Sequence, residues 1–88
     1  MTWRVVYAPP AAKDLTKLDP QIARRIIKFI NERIVPIRDP RSIGEALHGP
    51  VAKYWKYRVG DYRLICEIQD KIITIIIVRV GNRREVYR

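Results

Sequence analysis

The sequence predicts an α+β domain in which two N-terminal helices pack on one face of a small, twisted, mainly antiparallel sheet. Three observations predict it. The chain has 88 residues, 48% of them hydrophobic, which suits one core and a single domain over 1–88. An i, i+4 ladder of isoleucines marks a helix in the first half. The second half carries runs of β-branched and aromatic residues divided by Gly-Asp and Asp-Lys dipeptides, the pattern of strands joined by tight turns.

The elements follow in order. Trp3–Ala8 reads as a first strand, rich in β-branched and aromatic residues. Pro9-Pro10 stops it and opens a short helix through Leu18, because proline is tolerated in a first helical turn. Asp19-Pro20 starts a second helix, an N-cap followed by proline at the first helical position. There Ile22, Ile26, Ile30 and Ile34 share a stripe, with Ala23 and Ile27 beside them, and Arg24, Arg25, Lys28 and Glu32 fall mostly opposite. Pro36 ends that helix. Residues 36–53, with three prolines and two glycines, read as a loop with room for one short helical turn. Strands are expected at Tyr54–Val59, Tyr62–Gln69 and Lys71–Val80, with turns at Gly60-Asp61 and Asp70-Lys71. The stretch Ile72–Val78 is apolar on both faces and belongs inside the sheet. Gly81-Asn82 reads as another turn, leaving Glu85–Arg88 as a last short strand or tail.

Eighteen Lys and Arg against nine Asp and Glu give a formal net charge of +9. Both halves of the chain share the excess, so it belongs to the folded unit and predicts a polyanionic partner: nucleic acid, an anionic membrane surface or an acidic protein. The longest apolar run, Ile72–Val80, is broken by Thr74 and Arg79 and is too short to span a bilayer. No membrane association is expected, and with no leader pattern at the N-terminus the reading is cytoplasmic. Cys66 is the one cysteine, which rules out an internal disulfide, suits a reducing compartment and reads as a core residue.

The most informative stretch is Lys56–Arg63. Residues two apart on a strand share a face, so Lys56 and Arg58 point one way and Trp55, Tyr57 and Val59 the other, under the helices. A two-residue turn at Gly60-Asp61 pairs Val59 with Tyr62 and sets Arg58 directly opposite Arg63. Like charges opposed across strands cost up to about 1 kcal/mol, and a docked anion would reverse the sign. Read alone, the hairpin is equally a solvated basic face or an anion site. Lys53, Arg83, Arg84 and Arg88 add donors around it, and Tyr87 is either a core tyrosine or a ring offered to a base.

Other chemistries lack their residues. The carboxylates expected in the hairpins, Asp61, Glu67 and Asp70, do not form a metal-ligating set, so no metal or other cofactor is expected. His48 is the only histidine and reads as incidental, which removes a histidine acid–base pair. Catalysis would run on Lys, Arg and Tyr. Those groups suffice for RNA, whose 2′-hydroxyl is itself the nucleophile; the protein need only orient it, move protons and neutralise the phosphoryl oxygens.

At these residues the chain resembles the RelE family of toxins within the RelE/ParE superfamily. The likeness rests on Ala12-Lys13-Asp14-Leu15 through Leu18, on Trp55-Lys56-Tyr57-Arg58-Val59-Gly60-Asp61-Tyr62-Arg63-Leu64-Ile65, and on Val80-Gly81-Asn82-Arg83-Arg84-Glu85-Val86-Tyr87. The resemblance implies the toxin of a type II toxin–antitoxin system, a metal-independent endoribonuclease that cuts messenger RNA in the ribosomal A site and leaves a 2′,3′-cyclic phosphate and a 5′-hydroxyl. It implies an acidic antitoxin that wraps the toxin in a hetero-oligomer, with ribosome and messenger as the other partners. It assigns catalytic roles to Lys56, Arg58, Arg63, Arg83 and Tyr87, and RNA contacts to Lys53, Arg84 and Arg88. Arg58 stands where a second lysine is usual, and arginine stays protonated, which leaves three outcomes: Lys56 accepts the proton, Lys53 reaches in to do so, or the rate is low. The alternative is the ParE type, which shares the fold but inhibits DNA gyrase without catalysis. A plain RNA-binding module is the third reading.

Overall fold

A computed structural model of the chain describes residues 2–82. The element order is β1 (Arg4–Tyr7), α1 (Pro9–Lys17), α2 (Pro20–Phe29), β2 (Glu45–Ala46), β3 (Trp55–Val59), β4 (Tyr62–Gln69) and β5 (Thr74–Asn82). The strands form one sheet in the order β1-β5-β4-β3-β2; β1 runs parallel to β5 and every other pair is antiparallel. Both helices lie over the same face, as the sequence predicts.

Local chemistry explains the helices. Prolines occupy the first turns of both, where no intrahelical donor is lost. Asp19 caps α2 by accepting from the Gln21 N–H at 2.8 Å. Beyond Phe29 the chain makes a π-turn over Ile30–Ile34, with the Val35 N–H bonded to the Ile30 carbonyl at 2.9 Å. An i, i+4 ladder drifts around a helix of 3.6 residues per turn, and the wider turn brings Ile34 back beneath the helix. Ile26, Ile30 and Ile34 are all fully buried, each such side chain being worth about 1.5–3 kcal/mol of apolar burial. Ile27, expected beside the stripe, instead faces outward at 38% exposure.

Under the helices the sheet contributes Tyr57, Val59, Leu64, Cys66, Ile75, Ile77 and Val80. Cys66 sits in this core, where burial pushes its thiol pKa far up. The β4–β5 pairing shifts register at Ile65/Cys66, so Arg79 lies opposite Ile65 while Ile77 lies opposite Cys66.

Three sequence expectations change. The loop 36–53 contains β2, a two-residue bridge, as well as a short 3-10 turn at Gly49–Val51. The connection after β4 is a 3-10 turn, Asp70–Ile72, followed by Ile73 at φ 49°, so β5 starts at Thr74 rather than Lys71. Gly81-Asn82 is not a turn: Gly81 pairs with Arg63 and Asn82 with Tyr62, and β5 runs straight through them. The last short strand or tail expected at Glu85–Arg88 lies outside the described residues.

Candidate nucleic-acid interface

The β3–β4 hairpin has the register read from the sequence: Val59 pairs with Tyr62, Arg58 with Arg63 and Lys56 with Ile65. Gly60 fixes it. At φ 60° it takes the first central position of the turn, where the hairpin geometry demands a left-handed residue. Lys56, Arg58 and Arg63 therefore share the face away from the helices.

They differ in burial. Arg58 is exposed, the Lys56 side chain is 15% exposed, and Arg63 is only 5% exposed. On β5 the residue opposite Arg63 is Gly81, which leaves side-chain room beside the guanidinium. Arg63 Nε is buried without a hydrogen-bond partner; Trp3 Nε1 in the core is the other such atom among the described residues. A buried donor left unpaired costs about 1–3 kcal/mol, and more on a charged group. Arg63 thus presents an unspent cationic donor on the sheet face.

The structure adds a residue that sequence reasoning missed. Glu45 of β2 pairs in register with Lys56 of β3, and its Oε2 lies 3.3 Å from Lys56 Nζ. The preceding loop is pinned at several points. Tyr57 Oη donates to the Pro40 carbonyl at 2.6 Å and Trp55 Nε1 to the Ile43 carbonyl at 2.8 Å. Gly44 sits at φ 84° so close to β3 that a Cβ there would collide with the Lys56 carbonyl and the Trp55 indole nitrogen. Arg41 ties the same loop to Asp70 through two hydrogen bonds of 2.9 and 3.0 Å, a pairing that holds the Asp70 carboxyl below its usual pKa. Among the described residues, Glu45 is the one carboxylate so delivered to the cationic face at Lys56. A two-residue bridge has no periodicity to read, so Glu45 passed as a loop residue; the glycine before it was the only local signal.

The remaining expected residues are placed as follows. Lys53 is exposed, stacks over its neighbour Tyr54 with Nζ 5.0 Å from the ring centroid, and lines a separate hollow with Arg41 and Ile68. It is not brought to Lys56. His48 is exposed ahead of the 3-10 turn. Arg83, Arg84, Tyr87 and Arg88 lie outside the described residues. Among the described residues no three His, Cys, Asp or Glu side chains gather as metal ligands, and no helix is long and apolar enough to cross a membrane.

At the far side of β5, Asp14 of α1 accepts from the Val80 N–H at 2.9 Å and from Arg79 Nε at 2.8 Å. β1 has already left the sheet at that level, and the side chain takes the place of a neighbouring strand. Burial works against the Asp14 charge, but the Arg79 and Val80 donors outweigh it and hold its pKa below the usual value.

Comparison with known proteins agrees with this geometry. Residues 5–87 match the family described as the ParE toxin of the type II toxin–antitoxin system parDE. Toxin RelG of Mycobacterium tuberculosis is 33% identical over 88 residues, which is 100% of this chain and 99% of the relative. The fold superposes on a chain of the toxin–antitoxin complex RelBE2 from the same organism with a TM-score of 0.85 and 31% identity, covering 94% of this chain and 100% of that one. It also matches a chain of the archaeal RelE–RelB complex from Pyrococcus horikoshii with a TM-score of 0.66 and 27% identity, over 97% and 99% of the two chains.

Proposed function

This chain belongs to the ParE toxin family of type II toxin–antitoxin systems, within the RelE/ParE superfamily, and from that premise we propose that it is a metal-independent endoribonuclease that cuts messenger RNA in the ribosomal A site. The observation that carries the reading is the triad of cations on one sheet face, with Arg63 Nε buried and unpaired. A tetrahedral phosphoryl group docked there supplies the missing acceptor and turns the Arg58–Arg63 repulsion into attraction.

The reaction needs three things: a base for the 2′-hydroxyl, positive charge at the phosphoryl oxygens, and a proton for the leaving 5′-oxygen. The 2′-oxygen loses its proton and bonds to phosphorus, the bond from phosphorus to the 5′-oxygen breaks, and that oxygen takes up a proton. The products are a 2′,3′-cyclic phosphate and a 5′-hydroxyl. Arg58 and Arg63 suit the charge role, because a guanidinium stays protonated and offers paired donors to phosphate. Glu45, held against Lys56 at 3.3 Å, supplies a carboxylate to receive the hydroxyl proton in place of a second lysine. Arg83 and Tyr87 join this reading as leaving-group and stacking residues, and Arg84 and Arg88 as RNA contacts. The partner is an antitoxin, a reading that the toxin–antitoxin complexes of the relatives support; an acidic one would cover the cationic face.

The test is brief expression in cells followed by primer extension on translated messages, with Lys56→Ala and Arg63→Gln as controls. Codon-phased new ends that vanish in both variants support the ribonuclease. Intact messages with growth arrest and DNA damage would instead support gyrase inhibition, the reading that the ParE name of the matched family keeps alive.

A further inference from the structure

Two arginines that border the sheet have carboxylate partners, Arg41 with Asp70 and Arg79 with Asp14. Arg25, Arg33 and Arg58 gather elsewhere, in one place. A groove of about 380 Å³ runs between α2 and the outer edge of β3, lined by Arg25, Lys28, Phe29, Arg33, Arg58 and Val59. Among the described residues none of its three arginines has a carboxylate partner; Arg33 only lies over the Phe29 ring, 5.9 Å from the centroid. One acid, Glu32, also lines the groove; it faces Lys28 at 3.9 Å with both side chains more than half exposed, a pairing worth little. A Cβ on Gly60 would come within 3.2 Å of Arg25 Nη1, so the α2 arginine already reaches the hairpin tip across the groove.

This groove is continuous with the proposed cleavage site. A second hollow of about 410 Å³ holds Glu45 and Lys56 and shares Phe29, Arg33 and Arg58 with the first. From Lys56 the cations lead over the β3 edge to Arg33, Lys28 and Arg25. From position 25 of α2 to position 33 in the π-turn that continues it, the cations are about 12 Å apart at about 1.5 Å per residue, a distance that spans more than one phosphate of an extended strand.

We propose that the α2–β3 groove is a second phosphate track, holding the backbone of single-stranded RNA as it leaves the cleavage face. This rests on the ribonuclease reading and extends it. Guanidinium forks without carboxylates match phosphate oxygens. An added peptide strand finds little here. β2 takes up the β3 edge at Trp55 and Lys56, and in a two-residue hairpin Tyr57 and Val59 bond inward to β4. Only Arg58 is left to pair outward.

The test uses the whole protein and fluorescence anisotropy with two uncleavable 2′-O-methyl RNAs, a trinucleotide that fits the cleavage face alone and a longer oligonucleotide. The variants are Arg25→Ala/Lys28→Ala, at positions outside the shared hollow, and Lys56→Ala, with circular dichroism to confirm folding. For the longer RNA, the slope of log affinity against log salt should fall by about 1.4 in the α2 variant, at about 0.7 per lost contact on a single strand. Trinucleotide binding should stay unchanged there and drop in Lys56→Ala. An α2 variant that binds both RNAs like the wild type overturns the track and leaves the ribonuclease reading standing. If that variant keeps its RNA affinity but loses binding to poly-glutamate, the groove belongs to an acidic protein segment and the track is equally overturned. Wild-type protein that binds the longer RNA no more tightly than the trinucleotide likewise overturns the track, while the ribonuclease reading stands or falls on the primer-extension test.

Discussion

Lys56 and Glu45 show how a site is assembled from residues that the sequence keeps apart. Lysine, arginine and arginine at 56, 58 and 63 were legible because a glycine-led two-residue turn fixes register, and register fixes which side chains are neighbours. Glu45 was not legible: its position depends on a tyrosine, a tryptophan and a glycine holding a loop by its backbone. Sequence reading is good at periods and poor at pins. If Glu45 receives the hydroxyl proton, Glu45→Gln should lower single-turnover cleavage by about 100-fold or more, the usual range for a lost general base. The fold should be unaffected, since the side chain is 66% exposed. Partial recovery in Glu45→Asp would separate proton transfer from mere charge balance with Lys56. Unchanged cleavage in Glu45→Gln would return the role to lysine.

At the scale of elements, the misreadings share one cause. Gly81-Asn82 has the composition of a turn, yet here the glycine keeps space beside Arg63, and its neighbours hold it in a strand. Tertiary context overruled a local preference. Tertiary context also gives Asp14 of α1 its role, which no local pattern announces: it closes the open edge of β5. Asp14→Ala should cost about 2 kcal/mol by leaving the Val80 N–H and Arg79 unpaired, readable as a lower urea midpoint. Asp14 also carries a pH signature. Its folded pKa is below the usual 3.8, so the unfolded chain binds the proton more readily. The stability it adds is complete above that value and is lost as pH falls through the lowered folded value. Asp14→Asn should therefore flatten the acid limb of the stability profile; a limb of the same steepness in that variant would move the effect to other carboxylates.

At the scale of the molecule, a net charge of +9 on a small fold is a standing repulsion, concentrated on the sheet face and the α2 groove. The charge was plain from composition and its place on the hairpin from register; its second gathering in the groove was not, because α2 and β3 meet only in three dimensions. Raising salt from low to physiological ionic strength should raise the Tm of the free protein by screening that repulsion, and a polyanion should raise it further by binding the folded form. A Tm that falls steadily over the same salt range would mean that ion pairs such as Arg41–Asp70 outweigh the repulsion.

The parallel β1–β5 pairing joins Arg4 to Thr74 and Tyr7 to Ile77, strands some seventy residues apart. Synthesis runs from the N-terminus, so β1 waits for its partner until β2, β3 and β4 have all been made. Until β5 is made, β4 has a neighbour only on its β3 side and Asp14 has no backbone to clasp. A nascent chain that stops before Thr74 therefore carries Lys56, Arg58 and Arg63 on a hairpin with no strand beyond β4, and because a hairpin alone is marginally stable, the cationic face is held firmly only once β5 has been added.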